Sequence, residues 1–251
     1  MPTPPPWSPH ARRRPVPGSR RRPAGRARRA LWAGLCALLG LTVLPIGALR
    51  WLPPPTSAFM LQQGIGNLVT GEWIWPDYQW VPRTRISASV ALAVVAAEDQ
   101  RFPAHFGLDL EAIRHAADHN ARGGAVRGAS TLTQQTAKNL FLWPGRSWVR
   151  KGLEAWLALW MELLLPKSRI LELYLNLAQF GANVYGVEAA SQRYFGIPAA
   201  RLDPAQAALL AAVLPNPVRY RIDAPSTYVR GRQAWILGQM RQLGPGYLSA
   251  L

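Results

Sequence analysis

The sequence predicts a mainly α-helical domain preceded by one transmembrane helix. Three observations carry this. Residues 30–49 (ALWAGLCALLGLTVLPIGAL) contain no charge, and as a helix they span about 30 Å, the thickness of a bilayer core. From residue 87 onward, apolar residues recur at helical spacing almost throughout, and no convincing run of strand alternation appears. These segments are punctuated by Ser and Asp at helix starts and by Pro or Gly at their ends.

Residues 1–29 hold nine arginines, no acid and frequent proline, a composition that predicts a disordered basic tail. The arginines lack interleaved aromatics and abut the apolar run, so nucleic acid is not an expected partner. No Lys or Arg occurs from Trp51 to Pro82. The positive-inside rule then puts the N-terminus in the cytoplasm and everything after Arg50 on the far side. The apolar run exceeds a signal-peptide core and no clean A-x-A site follows, which favours an uncleaved anchor over 30–50. Residues 51–82 read as a linker. Pro53, Pro54 and Pro55 stiffen its start, and Trp73, Trp75, Tyr78 and Trp80 pack on the domain or lie at the interface. Beyond the tail the chain carries 20 basic and 13 acidic residues, a balance suited to an anionic substrate or lipid surface. Cys36 is the only cysteine, and no Cys/His cluster has zinc-site spacing.

The domain is expected over 83–251. An apolar helix runs from Ser87 towards Glu98, and Asp109 is an N-cap for 110–121. GGAVRG at 123–128 reads as a flexible loop. A helix covers 131–141, Trp143-Pro144-Gly145 breaks the chain, and Ser147 caps a helix over 148–165 that Pro166 stops. Further helices are expected over 168–180, 187–195, 204–214 and 227–243, with Gly181 and Gly186 bracketing a turn. The stretch 155–165 (AWLALWMELLL) is apolar nearly all round and too short to span a bilayer. It is either a core helix or one that dips into the membrane interface.

Four stretches carry chemistry. In EDQRFPAHFG (98–107), Glu98 continues the helical row of Ala91, Val94 and Val95, which Phe102 extends. An inward-facing carboxylate must be paired, hydrogen-bonded or used; a structural ion pair with Arg101 is the plain alternative. In GASTLTQQTAKNL (128–140), a helix would set Ser130, Gln134 and Lys138 on one face with Gln135 beside them, gathering hydroxyl, amide and ammonium groups suited to a sugar bearing phosphate. In RSWVRKGLE (146–154), Arg150 and Lys151 precede Glu154 by four and three residues, where an ordinary intrahelical ion pair is the alternative. ILELYLN (170–176) is amphipathic and mostly core, with Glu172 and Asn176 on its other side. His105 is expected to hold the loop after Glu98 in shape.

In this order and spacing the four motifs resemble the family 51 glycosyltransferases, which polymerise lipid II into peptidoglycan. The likeness covers roughly 83–243, and several long motifs in series are far more specific than one short pattern. The single anchor and short chain resemble the monofunctional members. No S-x-x-K occurs, and no residues remain for a transpeptidase domain. The resemblance implies a lysozyme-like α fold with a smaller, membrane-facing jaw. It implies that Glu98 is the general base on the 4-hydroxyl of the acceptor sugar. That hydroxyl attacks the anomeric carbon of the lipid-linked chain, inverts it to a β-1,4 bond and releases undecaprenyl diphosphate. Glu154 matches the second glutamate of the cleft, Lys138 and Arg146 match residues that meet the diphosphate, Ser130, Gln134 and Gln135 match the substrate-binding face, and Arg150 and Lys151 match the basic pair. A divalent cation, magnesium or manganese, bridging diphosphate and Glu154 is compatible with this set. The implied setting is the inner membrane with the catalytic domain in the periplasm, lipid II and the growing lipid-linked glycan as substrates, and wall-synthesis proteins as candidate partners.

The sequence departs from common family wording at Ile197, after Tyr194-Phe195-Gly196, and at Ala182-Asn183. Two rival functions stay open: a lysozyme-like enzyme that cleaves glycan, and a non-catalytic membrane scaffold. A glycosidase must protonate a poor alkoxide leaving group and so needs a carboxylic acid as well as a base or nucleophile. A diphosphate leaves as a stabilised anion and needs nearby positive charge instead. The basic residues of the second and third motifs therefore favour synthesis.

Overall fold

The computed structural model describes residues 1, 3, 24–122, 128–145 and 147–251. Most of the expected disordered tail, most of the 123–128 loop, and Arg146 lie outside these residues. Two units divide the chain, residues 1–40 and 41–251. Helix α1 (Ala24–Ala48) begins six residues before the expected span. The extra turn and a half is AGRARR, whose two alanines and three arginines are strong helix formers and outweigh Gly25, so these residues are helical and not disordered. Arg28–Ala48 is long and apolar enough to cross a membrane, with a mean hydropathy of 1.9.

In the second unit, residues 51–82 prove to be part of the fold and not a linker. Helix α2 (Ala58–Val69) is capped by Ser57, whose Oγ accepts from the Met60 amide at 3.2 Å. Gln62 Nε2 donates to the Leu142 carbonyl at 3.1 Å. The helix buries only Met60, Gly64 and Asn67, too narrow a face to read from periodicity. Gly64 lets the Trp75 ring lie against the helix, since a Cβ there would stand 2.5 Å from the ring. Strand β1 (Asp77–Tyr78) then joins β2 (Gln179–Gly181) and β3 (Val184–Tyr185) in a three-stranded sheet of order β1-β3-β2, with β1 parallel and β2 antiparallel to β3. Strands of two or three residues leave no alternation to detect.

The remaining helices lie where the periodicity put them: α3 (Ala88–Glu98), α4 (Leu110–Ala121), α5 (Leu132–Phe141), α6 (Trp148–Leu164), α7 (Lys167–Leu177), α8 (Val187–Phe195), α9 (Pro204–Val213) and α10 (Thr227–Leu243). The Asp109 and Ser147 caps accept from Ala112 N at 2.9 Å and Arg150 N at 3.1 Å. Only the expected 168–180 helix is cut short, because residues 179–181 are drawn into the sheet.

Helix α3 is buried from Val90 to Ala96 and packs on α9 and α10. A helix apolar all round belongs at the centre of a domain, and its polar end, Glu98, is where this one leaves the core. Helix α5 packs on α6 and α7. Helix α6 is neither wholly core nor wholly surface. Glu154, Leu157, Ala158 and Met161 face inward, while Trp148, Val149, Leu153, Trp156, Leu159 and Leu163 are exposed.

Two side chains of α7 lock the segment ahead of α3. Arg169 donates to the Leu49 carbonyl at 2.7 Å and the Leu52 carbonyl at 2.9 Å, clamping the chain as it leaves α1. Asn176, fully buried, imitates a strand: its Oδ1 accepts from Val81 N and its Nδ2 donates to Val81 O, both at 2.9 Å. Asn176→Ala leaves a buried N–H and C=O unpaired, each costing about 1–3 kcal/mol. The expected loss of stability is about 2–4 kcal/mol, measured by urea unfolding of the detergent-solubilised protein. A change under about 0.5 kcal/mol would mean that water replaces the pair.

Candidate active site

Glu98 closes α3, and its carboxylate is 14% exposed. Oε2 accepts from Gln135 Nε2 at 3.1 Å, and Oε1 accepts from an Arg232 terminal nitrogen at 3.2 Å. The plain alternative of an ion pair with Arg101 does not form, because Arg101 turns to Glu111 and Asp109. Burial raises the Glu98 pKa, opposed by Gln135, Arg232 and Lys138.

Gln135 is itself held. The Tyr174 hydroxyl donates to its Oε1 at 3.2 Å. Burial, reinforced by the nearby charges of Glu98 and Asp99, raises the Tyr174 pKa well above its usual value, so the phenol keeps its proton. A donor on one side of the amide turns its N–H groups to the other, towards Glu98. The loop after Glu98 is fixed by Asp99, whose carboxylate lies 2.9 Å from His105 Nε2 and accepts from Leu132 N, at the start of α5, at 2.9 Å. His105 thus has the shape-holding role expected of it. Thr131 Oγ1 adds a 2.6 Å bond to the Gly107 carbonyl.

A second cluster forms on α6. Glu154 is 3% exposed, and accepts from Arg150 at 3.1 Å and from Lys151 Nζ at 2.5 Å. Lys151 also donates to Ser130 Oγ at 2.8 Å. Lys138 stands in the field of both glutamates, with Nζ 5.5 Å from the centre of the Phe59 ring. Burial lowers its pKa, and Glu154 opposes that shift. Arg150 keeps a buried Nε–H with no partner among the described residues, the sort of unmet donor that calls for an explanation.

Two cavities flank the Glu98–Gln135 bond. One, of about 290 Å³, is lined by Glu98, Gly128, Ser130 and Thr131. The other, of about 170 Å³, is lined by Gln135, Lys138, Asn139, Tyr174, Phe59 and Pro215. Among the described residues, no group of three or more His, Cys, Asp or Glu could hold a metal ion, and each oxygen of Glu154 already accepts from a cation.

The structure therefore brings together Glu98, Gln135, Lys138, Glu154, Arg150, Lys151 and Ser130. Ser130 does so from the segment before α5 and not from a helix face. Gln134 departs from its expected position. It is 2% exposed and closes a capping box with Thr131, its Oε1 accepting the Thr131 amide at 3.2 Å. The helix starts one residue after Thr131, so Gln134 falls at the third helical position, where a glutamine serves the cap. Arg232 and Tyr174 escaped the sequence reading. Arg232 lies 134 residues from Glu98 with no motif to connect them. Tyr174 did leave a signal, since a buried tyrosine in an apolar motif needs a partner for its hydroxyl.

A helical domain that sets a held carboxylate near a cluster of cations fits an enzyme of the glycosyl-transferring class. Residues 67–241 match the family described as transglycosylase. The biosynthetic peptidoglycan transglycosylase of Klebsiella oxytoca is 55% identical over 223 residues, 88% of either chain. That of Salmonella paratyphi B is 58% identical over 195 residues, covering 77% of this chain and 81% of its own. That of Xanthomonas campestris pv. campestris is 53% identical over 234 residues, covering 91% and 95%. The chain belongs to the transglycosylase family and is a glycosyltransferase. The match begins inside α2, in keeping with a domain that reaches back beyond residue 83.

Proposed function

We propose that the chain polymerises lipid II into β-1,4 glycan strands at the periplasmic face of the inner membrane, anchored by α1 with its N-terminus in the cytoplasm and carrying no transpeptidase activity. The names of the relatives support peptidoglycan as the product class. The observation that carries the reading is a held carboxylate, Glu98, together with Lys138, which stands in the field of Glu98 and of the Glu154 cluster that gathers Arg150 and Lys151. Glu98 removes the proton of the acceptor 4-hydroxyl. The cations receive the charge that grows on the departing diphosphate, worth most where water is excluded. Glu154 keeps Arg150 and Lys151 gathered until the diphosphate arrives, and Ser130 and Gln135 contribute polar contacts to the sugar. Glu154 is the residue that would hold a divalent cation bound with the diphosphate, where the ion would add positive charge, and alone it is too small a ligand set to keep one.

The test is polymerisation of lipid II by the detergent-solubilised protein with magnesium. Long uncross-linked glycan supports the reading. Shortened glycan from a finished polymer would point to the lytic rival, and neither product would point to the scaffold. The base must be ionised, and burial raises its pKa, so the acidic limb of kcat/KM against pH should lie above the ordinary glutamate value of about 4.3. A limb at or below that value would remove Glu98 as the base.

The exposed face of α6 supports contact with lipid. Trp148 is 92% exposed and Trp156 36%, whereas Trp160 turns edge-on to Trp156 and packs against the core. In a form lacking the anchor, Trp148→Ala with Trp156→Ala should lower binding to anionic liposomes several-fold in a sedimentation assay. Equal sedimentation of both forms would count against membrane contact there.

A further inference from the structure

We propose that Tyr174 is a positioning residue for the reaction: acting through Gln135, it fixes the amide with its N–H groups towards Glu98 and so keeps that carboxylate in its ionised, proton-accepting form. This rests on the polymerase reading above. Three helices build the relay. Tyr174 lies on α7, Gln135 on α5 and Glu98 at the end of α3, and α7 packs on α5. The Tyr174 hydroxyl donates to Gln135 Oε1 at 3.2 Å, and Gln135 Nε2 donates to Glu98 Oε2 at 3.1 Å. Tyr174 is 2% exposed, among the largest of the wholly buried side chains, so its hydroxyl cannot follow the amide if the amide turns.

An amide has two faces to offer a carboxyl group. Its N–H groups stabilise a carboxylate, whereas its carbonyl accepts from a protonated carboxylic acid. A glutamine free to turn over would serve both states of Glu98. Gln135 is not free. Were it to turn, its carbonyl would leave the phenol, and among the described residues no other acceptor meets that buried proton, a costly state. The phenol keeps its proton throughout, because burial and the charges of Glu98 and Asp99 hold its pKa well above the usual value. A donor that does not ionise therefore pins a neutral amide, and the pinned amide favours one charge state of the base.

The other groups that face Glu98 are cations, Arg232 on α10 at 3.2 Å from Oε1 and Lys138 on α5. Burial raises the Glu98 pKa, and the Gln135 bond is the largest of the effects that oppose it. In the proposed reaction Lys138 meets the diphosphate, whose negative charge offsets the field of the ammonium at Glu98. A neutral amide held by a neutral phenol loses nothing when that anion arrives. The relay thus keeps the base ionised at the stage when the nearby ammonium is committed to the leaving group.

The experiment measures kcat/KM for lipid II polymerisation against pH, using the full-length protein and its Tyr174→Phe, Gln135→Leu and doubly substituted forms. Tyr174→Phe should move the acidic limb up by about 0.5 pH unit or more, with the loss of rate shrinking as the pH rises above the limb. Gln135→Leu should move the limb at least as far, and adding Tyr174→Phe to it should move it no further. A rate lowered by one factor at every pH, with the limb unmoved, would make Tyr174 a packing residue only and overturn the proposal. A further shift in the double variant would also overturn it, since the phenol would then act on Glu98 without Gln135. If Tyr174→Phe does not fold, replacing Tyr174 by 3-fluorotyrosine keeps the ring and makes the hydroxyl a stronger donor. The limb should then move down, and a fixed limb overturns the role. No polymer from the unmodified protein at any pH would remove the polymerase reading, and the role with it.

Discussion

Glu98→Gln is expected to reduce glycan synthesis by about 10²–10⁴-fold, the usual contribution of a positioned general base, without unfolding the protein. The amide keeps the volume of the carboxylate and one oxygen to accept from Arg232 or Gln135, so the geometry of the cleft survives while its base does not. Stability should move the other way. Because burial raises the folded-state pKa of Glu98 above its unfolded value, the unfolded chain ionises first as pH rises. The carboxyl therefore erodes stability between the unfolded and folded pKa values, and the erosion is complete above the folded one. The glutamine variant lacks this term. Its melting temperature should match or exceed that of the unmodified protein at neutral pH, and vary less with pH above about 4. Polymer of normal yield from Glu98→Gln would move the base elsewhere. Loss of activity together with a clear fall in melting temperature would make Glu98 a structural residue.

Glu154→Gln should be damaging in both respects. Its carboxylate is 3% exposed and joins two cations, Arg150 at 11% and Lys151 at 40% exposure. Breaking a fully buried pair costs about 3–5 kcal/mol; with Lys151 partly solvated, a loss of about 2–3 kcal/mol is expected here. Polymerisation should fall by at least tenfold, because Arg150 and Lys151 lose the carboxylate that gathers them beside Ser130. Adding Arg150→Gln to Glu154→Gln separates the two effects. It removes the stranded charge and should recover most of the stability in urea unfolding, but none of the activity. If Glu154→Gln were as stable and as active as the unmodified protein, the triad would be no more than the ordinary helical ion pair that its spacing also allows.

The fold was legible in the chain wherever the deciding interactions are local. Asp109 and Ser147 start their helices through bonds three residues long, and Pro166 stops its helix by backbone restriction. A run of twenty uncharged residues announces its own helix. For the same reason the sequence by itself determined the helical class, most helix limits and the motifs that carry Glu98, Lys138 and Glu154.

Tertiary structure decided the rest. Helix α2 and the three short strands hold no periodic signal, and exist because Trp75, Leu142 and Val184 lie beside them in space. Gln134 lies in the right motif, but a helix that begins at Leu132 assigns it to the cap and leaves Gln135 to meet Glu98. Arg232 could not be paired with Glu98 from spacing, because α10 is brought against α3 by packing with α9 between distant parts of the chain. Caps and helical periods act within a turn or two of backbone. The environment of a catalytic carboxylate is the sum of whatever the whole domain packs around it.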